Sequence, residues 1–289
     1  MISGIADATL GRIIDTVGDL PASPAIVSSV MGLTSDLDSK VLDISRVLSA
    51  DQSLTAKVLK LSNSSFYGRS KSVSTLEEAI LILGFFTVRS MVIATSAHAM
   101  YRQTDNSRVE DLLWRHSLSV AITARQMAAR VGCQDREEVF ISALLHDIGK
   151  LVMLQRLRER YLKVVQTVET NGGSFLECER AALGFDHCAV ANLLLDKWSF
   201  PGNLHRSVVH HHGEHTPLPG TTTGAAPAIV SLANLLAKHM EVGFADHRHE
   251  APWDTEAARQ LALDRGTLEE ILEESRAYYQ SESHIYEES

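Results

Sequence analysis

His146-Asp147, followed by Ile148-Gly149-Lys150, sets an imidazole beside a carboxylate at the end of an apolar segment, a pair that can grip a metal cation. Asp135 and Glu138 stand at capping-box spacing, which predicts a helix from about Arg136 to about Asp147 with Gly149 as its terminator. Phe140, Ala143, Leu144 and Asp147 then share one face, so the carboxylate points where the apolar side chains point. A carboxylate facing a core is costly when unpaired, and at a helix C-terminus the macrodipole opposes it too. Either Lys150 or a metal ion supplies the positive partner; neighbouring imidazoles favour the ion, because neutral histidine is a common ligand.

Other helices offer companions. His116 lies in the apolar register Leu113, His116, Val120, Ala124, Met127 and Val131. His187 opens a helix capped by Asp186 and shares a face with Val190, Ala191 and Leu194. His211 follows Leu204 and Val208, with His212 adjacent, whereas His205, His210 and His215 read as solvent-facing. Asn234 sits between Val230 and Ala237 on a late helix, which puts an amide on a face that reads as buried. Inward polar groups on successive helices each need a partner, and one shared polar centre serves them all. Imidazole and carboxylate ligands without cysteine suit one or two divalent ions of Fe, Mn, Zn, Ni or Co. Two adjacent metals would clamp a phosphoester and generate hydroxide near neutral pH, with Lys150 steadying a phosphoryl oxygen.

Leucine, isoleucine and valine recur at three- and four-residue intervals through most of the 289 residues, while alternating strand patterns are scarce, so the fold class is all-α. Ser23-Pro24 and Ser74-x-x-Glu77 read as helix starts. The polar run Arg102 to Arg108 marks a boundary between an N-terminal helical part, 1–108, and a part carrying the His/Asp centre, 109–245; an acidic helical extension, 246–289, follows. Thr216 to Gly224 reads as a surface loop.

Composition closes several classes. Net charge is −9, and residues 1–108 hold ten basic and ten acidic side chains against 17 and 26 beyond, so no basic stripe is available to neutralise phosphates and nucleic-acid binding is not expected. Glu269, Glu270, Glu273 and Glu274 read as a solvated helix face. Asp7, Asp15 and Asp19 argue against a signal peptide. The longest apolar run, Ala79 to Val88, is broken by Gly84 and far shorter than the roughly 20 residues that span a bilayer, so a cytoplasmic protein is expected. Cys133, Cys178 and Cys188 lack CxxC spacing and read as buried or idle thiols.

His116 followed by His146-Asp147 resembles the opening of the HD superfamily of metal-dependent phosphohydrolases. With Lys150, His187 and His211-His212 the set is similar to the HD-GYP branch, whose members hydrolyse cyclic di-GMP at a multinuclear iron-type centre. The chain departs from that pattern in three places. Asn234 stands where the superfamily closes its site with aspartate, Leu112 stands where the branch offers an extra carboxylate, and Gly213-Glu214-His215-Thr216-Pro217 replaces the branch's loop. Leu20-Pro21-Ala22-Ser23-Pro24, Asp51-Gln52-Ser53-Leu54, Leu61 to Gly68 and Glu78 to Gly84 resemble the HDOD domain, an HD-related output domain of bacterial signalling proteins, over roughly residues 10 to 215. That resemblance implies a helical bundle followed by an HD-type helical core, acting through a signalling protein partner, with metal ligands at His116, His146, Asp147, His187, His211, His212 and Asn234. The alternatives it implies are a metal-dependent phosphohydrolase acting on a nucleotide or phosphoester, with Asp147 and Lys150 as catalytic groups, and an iron-based redox or oxygen sensor using the same ligands.

Overall fold

The computed structural model describes residues 10–11, 24–36, 38–64, 73–101, 107–198, 200, 202–213, 225–244 and 251–287, and every regular element among them is helical, as the spacing predicts. Contacts divide the chain into two compact units, one of Met1–Gly18 with Thr104–Arg276, the other of Asp19–Gln103 with Ala277–Ser289.

The second unit contains α1 (Pro24–Ser35), α2 (Val41–Leu48), α3 (Gln52–Ser62), α4 (Leu76–Leu83) and α5 (Phe85–Tyr101). Val30, Ile44, Val58, Ile80 and Val88 are fully buried and form its core. Asp51 caps α3 by accepting the Leu54 N–H at 3.0 Å. The predicted cap at Ser74 moves by one residue: Thr75 accepts the Glu78 N–H at 3.2 Å, while Glu77 turns to accept the Ser45 hydroxyl. Asn63 closes α3 by clasping Val73, accepting its N–H at 2.7 Å and donating to its carbonyl at 2.9 Å. Ser23, Phe66, Tyr67 and the loop 216–224 lie outside the described residues. No single described helix is long and apolar enough to cross a membrane; α4 and α5 meet that measure only as a pair bent by 105°.

The first unit contains α6 (Ser107–Arg130), α7 (Arg136–Leu145), α8 (Ile148–Arg156), α9 (Arg158–Asn171), α10 (Phe175–Leu183), α11 (His187–Lys197), α12 (Gly202–Val209), α13 (Ala225–Lys238), α14 (Glu256–Gln260) and α15 (Arg265–Glu287) as far as Arg276. Leu118, Val120, Ala121, Ile122 and Ala124 are all at 0% exposure, so this stretch of α6 is apolar nearly all round and serves as the central helix. It packs on α7 and α13; α8 packs on α11, and α9 on α10. Glu269, Glu270, Glu273 and Glu274 of α15 are exposed, and two of them, Glu270 and Glu274, pair with Arg130 at 2.8 and 3.0 Å.

Candidate metal centre

Helix α7 ends at Leu145 rather than at Asp147, and Asp135 makes no side-chain cap, so the expected capping box does not form. His146 is the last residue in helical conformation; Asp147 then occupies the N-cap position of α8. This placement changes the electrostatics of the carboxylate. The carboxylate stands at the positive end of the α8 dipole, which favours an anion. It makes no cap hydrogen bond of its own and is turned into the interior at 0% exposure. Gly149 is likewise not a terminator but the second residue of α8, where a Cβ would lie 2.0 Å from the backbone carbonyl oxygen of His187. It lets α8 and α11 approach closely enough for Asp147 and His187 to meet.

Around Asp147 the predicted residues come together from six helices or their ends. Oδ2 lies 3.7 Å from His116 Nε2, 3.3 Å from His146 Nε2 and 2.7 Å from Lys150 Nζ. Oδ1 lies 3.5 Å from His187 Nε2 and 3.7 Å from His211 Nε2. His212 stands at the rim, partly exposed, with Nε2 2.9 Å from His187 Nε2. Asn234 is buried on α13. A cavity of about 370 Å³ is lined by His116, Asp147, Lys150, Phe175, Asn234 and Lys238, among others. Lys150 Nζ also lies 4.6 Å from the Phe175 ring centroid, a cation–π contact that steadies it. His205, expected in solvent, is half-buried and bonded to Asn192 at 2.9 Å.

The outer nitrogens determine what the inner ones offer. His146 Nδ1 and His211 Nδ1 each lie 2.6 Å from a carbonyl oxygen three residues back, Ala143 and Val208, at the ends of α7 and α12. Helix C-termini leave such carbonyls unsatisfied, and a carbonyl can only accept, so both Nδ1 atoms carry hydrogen and their Nε2 lone pairs face inward. His187 Nδ1 donates to Glu179 Oε2 at 2.6 Å, with the same consequence for its neutral ring. His187 Nε2 lies 3.4 Å from His211 Nε2 and 2.9 Å from His212 Nε2, so three imidazole nitrogens converge on a point where a proton on His187 or a metal cation can be shared. Among the described residues, His146 Nε2, Asp147 Oδ1 and Asn234 Oδ1 are buried with no hydrogen-bond partner. Three orphaned buried acceptors converging with imidazoles suit a metal ion better than a hydrogen-bonded core. Two groups meet the spacing for a metal, with ligand atoms within 4.8 Å of one another: His116, His146 and Asp147, and His187, Cys188, His211 and His212. Cys188 thus stands beside the centre, although its sulfur is 4.0 Å from the already engaged His211 Nδ1.

Burial works to raise the Asp147 carboxyl, but the facing His146 and Lys150 hold it well below the usual carboxylate range. Burial lowers His116 to about 3 and, helped by the imidazoles around it, takes His211 well below its ordinary value, so both are held in the neutral, ligating form. His187 goes the other way: burial would lower it, yet the Glu179 carboxylate overrides that and lifts it to about 10.

These shifts predict how the metal-free protein responds to acid. His116 takes a proton near pH 6.5 when unfolded but only near pH 3 when folded, so stability is lost as the pH falls below 6.5; at pH 5 the loss is about 2 kcal/mol. His211 acts in the same direction. The raised His187 contributes stability that is fully present below pH 6.5 and lost only as the pH rises toward 10, so it does not reverse the trend. Thermal melts in chelator should show Tm falling by several degrees between pH 7 and pH 5. An unchanged Tm would mean that His116 is not buried in neutral form.

Sequence reasoning overlooked Glu179 and Tyr161. Glu179 stands four residues from both Phe175 and Leu183, on the apolar side of α10, the same sign of an inward carboxylate that drew attention to Asp147. The contacts of Gly149 with His187, and of Gly243 with His116, whose Cβ would lie 2.7 Å from an added one, carry no sequence signal.

The HDOD domain family model matches residues 20–214. The fold is shared with an HDOD domain protein of unknown function from Geobacter sulfurreducens, at 25% identity and TM-score 0.78 over 96% of this chain and 95% of that one. It is also shared with a provisionally named phosphohydrolase from Shewanella amazonensis SB2B, at 22% identity and TM-score 0.72 over 96% and 97% of the two chains. A provisionally named signal transduction protein from Marinobacter aquaeolei VT8 matches at 19% identity and TM-score 0.75, over 98% of this chain and 65% of its own. A search of curated proteins found no significant match. With the family model covering more than half of its length and its fold shared end to end with an HDOD structure, the chain belongs to the HDOD domain family.

Proposed function

We propose that this chain is a bacterial, cytoplasmic signalling module whose His/Asp centre holds one or two divalent transition-metal ions and serves a phosphoester ligand. The observation that carries the reading is the two-sided environment of Asp147, with His116 and His146 at Oδ2 and His187 and His211 at Oδ1. A bridging carboxylate between two imidazole pairs is the arrangement that two adjacent ions need. His116 and His146 would hold one ion; His187, His211 and His212 would hold the other, with the Asn234 amide oxygen as a further ligand. Ions held there would supply Lewis acidity toward a phosphoryl group and acidify a water. Lys150, kept in place by Asp147 and Phe175, offers a cation to a phosphoryl oxygen, and Lys238 lends a second positive charge to the same cavity. The cavity's about 370 Å³ lies toward the small end of ligand pockets, and a nucleotide or smaller phosphoester suits it.

A second reading, a module that acts through a signalling protein partner without turnover, is favoured by Asn234. An amide there contributes no negative charge, which weakens the hold on a cation. Elemental analysis of the wild type and Asp147→Ala, with a screen of phosphomonoesters, nucleotides and cyclic dinucleotides, separates the readings. We expect stoichiometric metal in the wild type, at least tenfold less in the variant, and turnover that disappears with it. Metal without turnover supports the partner-binding reading, and no metal after reconstitution overturns the metal-centre reading.

A further inference from the structure

Glu179 is a fully buried carboxylate on α10, a helix that supplies none of the candidate ligands. Its Oε2 accepts both the backbone N–H of His187 at 2.8 Å and His187 Nδ1–H at 2.6 Å, and its Oε1 accepts the hydroxyl of Tyr161, also at 0% exposure, at 2.7 Å. The two contacts to His187 fix the start of α11 and the plane of the ring together. Tyr161, from α9, fixes the carboxylate in turn.

Charge makes this more than scaffolding. Asp147 is the one carboxylate in the two candidate ligand groups, and Lys150 pairs with it at 2.7 Å, so the two cancel before any cation arrives. Asn234 adds an oxygen but no charge. The other carbonyl-anchored rings, His146 and His211, lean on neutral acceptors, whereas His187 leans on an anion. A carboxylate hydrogen-bonded to the far nitrogen of a ligating imidazole raises the basicity of the near one.

We propose that Glu179 is a positioning residue that lends the centre, through His187, the negative charge its direct ligands lack, and so makes the His187–His211 side of Asp147 the tighter of its two cation sites. This inference rests on the metal-centre reading above.

The test titrates metal-free full-length protein with Co²⁺, following affinity, stoichiometry and the visible Co²⁺ spectrum. Glu179→Gln keeps the shape and removes the charge; it should weaken the tighter binding event 10- to 100-fold and alter its spectrum. Tyr161→Phe removes one donor and keeps the charge, and should weaken it less than threefold. Adding Asn234→Asp to Glu179→Gln returns a negative charge and should recover at least tenfold of the loss. An unchanged affinity and spectrum in Glu179→Gln would overturn the proposal. So would a loss that Asn234→Asp does not restore and that accompanies an equal drop in metal-free Tm, since that pattern belongs to a structural role. Wild-type protein that binds no Co²⁺ would instead overturn the metal-centre reading itself.

Discussion

Gly149→Ala should unfold at a temperature lower by about 10 °C and lose at least nine-tenths of its bound metal, although residue 149 offers no ligand atom. The added methyl would stand 2.0 Å from the His187 carbonyl oxygen and 3.0 Å from its Cα, backbone atoms that cannot rotate away as a side chain could. Relief requires α8 and α11 to separate by about 1 Å, and overpacking of this kind costs about 3 kcal/mol. For a chain of this size that corresponds to about 10 °C in Tm. The effect on the centre follows from the tighter tolerance of metal ligation, about 0.2 Å in ligand distance, because the displaced residue is itself a candidate ligand bonded on its other side to Glu179. Thermal melts and elemental analysis of the purified variant check both parts. Wild-type metal content with Tm within about 1 °C of wild type would show that the close approach of α8 and α11 has slack.

The second large effect is the response to metal itself. Free ion at a thousandfold excess over Kd should stabilise the folded chain by about 4 kcal/mol, and removal by chelator should therefore lower Tm by about 10 °C. Asp147→Asn should abolish that difference. The amide preserves the volume but takes away the charge that faces four imidazoles, and it deprives buried Lys150 of its partner, so the metal-free variant should also melt below the metal-free wild type. A chelator-induced shift that persists in Asp147→Asn would mean that ions bind elsewhere on the chain. Loss of the shift with a metal-free Tm equal to wild type would mean that the Lys150–Asp147 pair adds nothing to stability.

Much of the centre could be read before folding. His116, Asp147, His187, His211 and Asn234 were each detectable as a polar residue in an apolar register, and periodicity is a local property that the chain displays without its partners. The caps were less legible. Asp186 caps α11 as read, accepting the Ala189 N–H at 2.9 Å, whereas the expected boxes at Asp135 and Ser74 do not form. Their side-chain spacing was right, but tertiary demands redirected the groups: Glu77 toward Ser45, and the chain into α8 two residues early.

The sequence by itself therefore determined the helical class, the registers of His116, His187 and Asn234 within their helices and the motifs that identify the HDOD family, because each depends on spacing within one segment. Tertiary structure decided what spacing cannot express. It turned a supposed C-terminal carboxylate into one at the N-terminus of α8, made Gly149 a point of contact instead of a terminator, and brought Glu179 and Tyr161 behind His187 from helices with no ligand of their own. It also set two imidazoles against each oxygen of Asp147. Those outcomes depend on which helices touch and how closely, and only their packing settles the charge and direction of the groups that converge on His146-Asp147.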